Sequence, residues 1–127
     1  MALEDIRPGL VGEVSKKVTR AMAVNRPKTP QGGVLSTPAL VSLLENAGIK
    51  AAERYLPKGY LTVGFHVDVR HIAPTPVGME IRAKAELTEI NGNKLTFAVE
   101  AHDEEKKVAV GTHRRAIIQV PPANQSQ

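Results

Sequence analysis

An α+β fold, one long central helix wrapped by a curved antiparallel sheet, is what this 127-residue sequence predicts. Three observations carry that expectation. Only one segment, Thr37–Tyr55, keeps an apolar stripe at helical spacing. The residues after it alternate with the period of strands, joined by turns too short to hold a crossover helix. A single helix cannot bury its stripe alone, so the sheet has to curve around it.

The elements follow in order. Residues 1–10, with Pro8 and Gly9, read as an irregular lead-in, and Leu10–Thr19 is β-rich enough for a first strand. Asn25–Gly33 holds two prolines and two glycines and reads as a loop, long enough to serve as a lid. Thr37 is a favoured N-cap residue and Pro38 a favoured first-turn residue. The helix they open carries Leu40, Leu43, Leu44, Ala47, Ala51 and Tyr55 as its core stripe, with Ser42, Asn46, Lys50 and Glu53 as a polar one; Pro57 and Gly59 stop it.

In Tyr60–His71, Leu61, Val63, Phe65, Val67 and Val69 alternate with Thr62, Gly64, His66, Asp68 and Arg70, and the apolar set is expected to face the helix. After a turn at Pro74–Gly78, Met79–Leu87 alternates again, and Asn91-Gly92 is a hairpin signal. The next strand presents Leu95, Phe97, Val99 and Ala101, and a turn at Asp103–Lys106 leads to a last strand, Lys107–Val120. Residues 123–127 are expected to fray. The chain, 1–127, is expected to be one domain with no internal repeats and with 1–9 and 121–127 irregular.

Composition narrows the function classes. The absence of cysteine excludes disulfides, thiolate metal sites and a cysteine nucleophile. The N-terminus lacks the apolar core of a secretory signal, and no apolar run approaches the ~20 residues of a membrane span, so a cytoplasmic protein with no membrane partner is expected. A net charge of +4 fits an anionic partner. Aromatic content of 3% leaves few stacking platforms, and the basic residues are scattered, which argues against nucleic acid. A small phosphorylated ligand meets the same charge.

Three residues carry possible chemistry. Glu45 lies on an apolar helix flank, where its helical neighbours Val41, Gly48, Ile49 and Ala52 offer no counter-charge. Such a carboxylate costs desolvation energy unless it has a partner or a task. A position at the helix edge, or an ion pair with a strand arginine, would account for it structurally. His71 ends its strand on the inward face beside the Pro-rich turn; taken alone it reads as a hydrogen-bonded structural residue. A carboxylate and an imidazole brought together form a general acid/base pair, which points to an enzyme.

Thr37 alone reads as the cap of a helix whose N-terminus offers unpaired amides. Pro38 has no N–H, so Ala39 and Leu40 are the nearest donors toward a carbonyl oxygen. Thr37 and Glu45 are eight residues apart, about 12 Å along a helix, and can bracket a small acyl group. His102 and His113 have polar neighbours and are expected to face solvent. Arg82, Lys84, Lys106-Lys107 and Arg114-Arg115 become phosphate contacts if the ligand is phosphorylated.

This order of elements resembles the hot-dog fold. The segments Thr37–Glu45 and Thr62–Gly78 are similar to the fluoroacetyl-CoA thioesterase-like branch. That branch uses a Thr eight residues before its Glu and a His twenty-six after it, intervals that Thr37, Glu45 and His71 reproduce. The resemblance implies an acyl-CoA thioesterase releasing free acid and CoA, with Thr37, Glu45 and His71 catalytic. It matches Gly64 to a glycine near the acyl group and Arg115 to an arginine in the last strand. It also implies a homodimer or dimer of dimers, and no metal or cofactor beyond the CoA of the substrate. There is one departure. The fluoroacetyl-specific enzyme carries aromatic lid residues before its helix, whereas Pro27–Ser36 has none, so a different acyl group is expected.

Functions from other classes stay open: a non-catalytic acyl-CoA- or ligand-binding protein on the same fold, or a basic nucleic-acid-binding protein. A hot-dog hydratase ranks lower, because the Asp-x-x-x-x-His segment of such enzymes is missing.

Overall fold

The structure, a computed structural model, describes residues 4–121. The frayed tail expected at 123–127 lies outside the described residues, as do residues 1–3 of the lead-in. Within them the order is β1 (Val11–Lys17), β2 (Ala23–Val24), β3 (Val34–Leu35), α1 (Thr37–Ala52), β4 (Tyr60–His71), β5 (Glu80–Asn91), β6 (Lys94–Asp103) and β7 (Lys107–Gln119). The five long strands form one antiparallel sheet in the order β1-β5-β6-β7-β4, while β2 and β3 pair separately.

The sheet curves around α1 as the apolar patterning requires. Leu40, Leu43, Leu44, Ala47 and Ala51 of the helix are buried against Ile81, Ala83, Ala85 and Leu87 of β5 and Leu95, Phe97, Val99 and Ala101 of β6. Small residues set the approach: a Cβ on Gly12 of β1 would collide with the carbonyl of Ala47. Asn91 and Lys94 close the β5–β6 hairpin around Gly92, whose φ of 62° is one that glycine adopts without cost.

Three expectations need correction. Thr37 is not the N-cap. Ser36 caps the helix, its Oγ accepting from the Ala39 amide at 3.2 Å, and Thr37 is the first helical residue. The helix ends at Ala52, and Glu53–Tyr55 continue as a short 3-10 turn. There Glu53 leaves the solvent stripe expected for it and accepts from the Thr62 amide at 2.9 Å and the Thr62 hydroxyl at 2.7 Å.

The third correction concerns the faces of β4. Its pairing with β7 shifts register between Gly64 and His66, a bulge at Phe65. Before the bulge the even residues turn inward: Thr62 is buried, and Gly64 lies opposite the buried Arg115. After it the odd residues do, with Val67 opposite the buried His113 and His71 opposite the buried Ala109. Simple alternation holds for the second half of the strand and reverses in the first, leaving Val63 and Phe65 exposed.

The segment after β4 is stitched to the segment before α1. Leu35 N donates to Thr75 O at 2.8 Å, Val77 N donates to Gly33 O at 3.1 Å, and Val34 bridges Pro76. Thr75, fully buried, donates to Asp103 Oδ2 at 3.0 Å and ties the same turn to the β6–β7 connection. The loop from Asn25 to Gly33 is braced from within: Asn25 Oδ1 accepts from the Thr29 amide at 2.9 Å and the Thr29 hydroxyl at 3.1 Å.

Candidate active site

The stitching of residues 74–78 onto β3 brings the end of β4 to the start of α1. Thr37 Oγ1 and His71 Nδ1 stand 2.8 Å apart. Ser36 takes over the capping, so the Thr37 hydroxyl is left for the imidazole. Burial pushes the His71 pKa below its ordinary value, which keeps the ring neutral around neutral pH. His71 Nε2 has no hydrogen-bond partner among the described residues. The ring lines an open cavity of about 260 Å³ with Val34, Ile72, Ala73 and Pro74.

Glu45 belongs to a second cluster farther along the helix. Its carboxylate stands over Gly64: a Cβ there would lie 2.8 Å from Glu45 Oε2, 3.0 Å from His113 Cε1 and 3.2 Å from Arg115 Nη1. Three polar side chains thus converge on a point that only a glycine leaves empty, and Gly64 itself is exposed. Among the described residues Glu45 makes no ion pair and no hydrogen bond to His71.

A buried polar chain supports this second cluster. Arg115, only 4% exposed, donates from Nε to Thr62 Oγ1 at 2.7 Å and from Nη2 to Thr62 O at 2.9 Å. The Thr62 hydroxyl donates in turn to Glu53 Oε2, so the guanidinium is linked to a carboxylate through one hydroxyl. Arg115 Nη1 donates to His113 Nε2 at 3.1 Å, and His113 Nδ1 donates to the His66 carbonyl at 2.8 Å. A carbonyl only accepts and a guanidinium only donates, so His113 must be neutral with its proton on Nδ1. Burial lowers the His113 pKa, and the Arg115 charge acts in the same direction. Burial also lowers the pKa of Arg115, against the opposing pull of Glu53 and Glu45.

The sequence-predicted residues therefore fall into two groups. Thr37 and His71 meet; Glu45, Gly64 and Arg115 meet; the two groups are set apart along α1. The amides of Ala39 and Leu40 are both engaged by Ser36, the first with its Oγ and the second with its carbonyl oxygen at 3.0 Å, which weighs against the oxyanion role expected for them. His102 is exposed as expected, but His113 is not: it is 1% exposed. Sequence reasoning missed His113, Thr62 and Glu53. A signal for His113 was present, because it stands two residues from Arg115 and so shares its sheet face.

The long helix wrapped by this curved antiparallel sheet defines a hot-dog fold. The family model described as fluoroacetyl-CoA-specific thioesterase matches residues 18–121, and the chain belongs to that family, whose members hydrolyse acyl-CoA thioesters. A fluoroacetyl-CoA thioesterase of Streptantibioticus cattleyicolor is 36% identical over 91 residues, which span 72% of this chain and 66% of that protein. A solved fluoroacetyl-CoA thioesterase structure superposes with a TM-score of 0.81 at 31% identity, covering 94% of this chain and 93% of that one. A thioesterase superfamily member from Thermus thermophilus gives a TM-score of 0.80 at 29% identity, over 90% of this chain and 85% of its own.

Proposed function

We propose that the protein hydrolyses an acyl-CoA thioester to free acid and CoA with Thr37, Glu45 and His71, as a cytoplasmic homodimer. The Thr37–His71 contact of 2.8 Å carries this reading. A threonine relieved of capping and bonded to a neutral, half-buried imidazole orients that ring, and the unpartnered Nε2 is left to move a proton. Thr37 and Glu45 are separated by about 12 Å along the helix, a gap that a thioester group can occupy.

Glu45 acts at the carbonyl in one of two ways. As a nucleophile it forms an acyl anhydride and expels the CoA thiolate; the neutral His71 then takes a proton from the water that hydrolyses the anhydride and passes it to the thiolate. As a base it takes the proton of a water that attacks the thioester directly. Both routes consume one water and need no resident cofactor or metal. A single turnover in oxygen-18 water that labels the Glu45 carboxylate identifies the anhydride route, since direct attack by water places label only in the free acid. Arg115 faces the same space and is a candidate contact for the acyl oxygen.

The sheet edge supports the homodimer. β4 is an edge strand of 12 residues on which Val63, Phe65 and Val67 are 43%, 46% and 42% exposed. A long apolar edge of this kind invites pairing with another chain, and a second copy is the occupant we assign. The lid segment Pro27–Ser36 has no aromatic, which supports an acyl group other than fluoroacetyl.

The test is a panel of acyl-CoAs, from acetyl to aryl-acyl and long-chain, assayed for free thiol with wild type and Glu45→Ala. Thiol release by wild type and its loss in the variant are expected. Undiminished acyl-CoA binding with no thiol release from any substrate would instead make the protein a non-catalytic binder.

A further inference from the structure

We propose that His113 is a positioning residue of this site, holding the Arg115 guanidinium toward the space above Gly64 where Glu45 stands. The assignment rests on the thioesterase reading above. Both ring nitrogens of His113 are engaged, Nδ1 with the His66 carbonyl at 2.8 Å and Nε2 with Arg115 Nη1 at 3.1 Å. The opposite tautomer would aim an N–H at the guanidinium and leave the His66 carbonyl without its donor. A protonated ring would also set a second cation against Arg115. One protonation state is therefore built in.

Its surroundings hold the ring in place. Phe97 of β6 stacks near it, with ring centroids 6.4 Å apart and planes at 27°. Gly48 of α1 packs close by; a Cβ there would meet His113 Cδ2 at 3.5 Å and Arg115 Cδ at 3.4 Å, ordinary contact distances. The charged and titratable groups facing it are Arg115 on its own strand, His66 on β4 and Glu45 on α1.

Arg115 needs this third anchor. Thr62 fixes Nε and Nη2, while His113 accepts one proton of Nη1. Nη1 carries a second proton, and this nitrogen borders the Gly64 space, 3.2 Å from an added Cβ. A fixed donor beside a carboxylate is what a thioester carbonyl requires as charge develops on its oxygen. Without the His113 acceptor, Nη1 would have a buried proton unsatisfied and would turn to recover a partner.

The test compares His113→Phe, which keeps a planar ring without an acceptor, with His113→Gln, which returns an acceptor near the Nε2 position. With an acyl-CoA that wild type hydrolyses, His113→Phe should lose roughly 10²-fold in kcat with a smaller change in KM, and His113→Gln should recover to within about tenfold of wild type. Nitrogen-15 NMR of wild type should show a protonated Nδ1 and a bare Nε2. A folded His113→Phe with wild-type kcat would overturn the assignment, as would a folded His113→Gln no better than His113→Phe. So would an NMR spectrum showing the Nε2–H tautomer, which needs no variant to fold. Failure of wild type to hydrolyse any acyl-CoA would instead remove the thioesterase reading itself, and this role with it.

Discussion

Thr37 Oγ1 lies 2.8 Å from His71 Nδ1 across 34 residues of chain, because the neighbouring hydroxyl, that of Ser36, caps the helix in its place. Two adjacent hydroxyls thus divide two tasks. Thr37→Val should lower kcat by about 10–100-fold with a small change in melting temperature, since it removes the partner of the imidazole and no cap. Ser36→Ala should cost about 1 kcal/mol of stability with kcat largely kept. Paired kinetics and thermal melts read both, and the reverse pattern would return the cap to Thr37.

Gly64→Ala introduces a methyl where Glu45 Oε2, His113 Cε1 and Arg115 Nη1 already converge at 2.8 to 3.2 Å. The far ends of Glu45 and Arg115 can yield, so a loss of about 1–3 kcal/mol in stability and a larger loss in thiol release are expected. Equal activity in wild type and variant would show that the space above Gly64 takes no part in the reaction.

Asp103 is the structural counterpart of these sites. Burial pushes its pKa up, but Lys106 Nζ at 2.7 Å, the amides of Glu105 and Lys106, and Thr75 outweigh it and hold the group at about 2. A depressed carboxylate stabilises the fold above its unfolded value of 3.8, and that contribution is lost as pH falls toward 2. Asp103→Asn should cost about 2 kcal/mol at pH 7 and flatten the acid limb of stability below pH 4. Urea unfolding across that range checks it.

His113 has the opposite chemistry and an equally definite sign. Its folded pKa lies below the 6.5 of a free imidazole, so the unfolded chain takes up a proton that the folded one refuses. Stability should fall as pH drops below 6.5, by up to about 1.4 kcal/mol per pH unit from this group, until its folded pKa is reached. His71 is shifted the same way, so His113→Phe should reduce the slope without abolishing it. Denaturant titrations from pH 8 to pH 5 measure the difference, and an unchanged slope in the variant would mean that His113 titrates normally.

The β4 edge predicts association. Val63→Lys with Val67→Lys places charge on both faces of a strand whose apolar residues stand exposed, and should convert a dimer into a folded monomer. Sedimentation velocity gives the mass and far-UV circular dichroism the fold. A wild type that sediments as a monomer would dismiss the dimer.

Much of this was legible in the residues themselves. The stripe from Leu40 to Ala51 and the alternation of Ile81–Leu87 and Leu95–Ala101 are written locally, because burial of one face requires a matching period. Glu45, His71 and Thr37 could be singled out because polar groups stand out against those periods. What failed did so where two local answers are nearly equal in energy. Ser36 and Thr37 both make good caps.

The strand Tyr60–His71 shows the same limit in another form. Its alternation is unbroken in sequence, yet the bulge at Phe65 exchanges its faces, and only that exchange brings Gly64 and His71 to one side. His113 and Arg115 look like surface residues until Thr62, Glu53 and the His66 carbonyl, distant in sequence, supply their partners.

By itself, then, the sequence determined the helix, the long strands and the inward apolar residues of α1, β5 and β6, because each is encoded in short-range periodicity and residue type. The tertiary structure alone decided which hydroxyl caps and which meets His71, how β4 turns its faces, and that a histidine and an arginine lie buried beside Glu45. Those outcomes depend on hydrogen-bond partners tens of residues away, which only the closed sheet brings within reach.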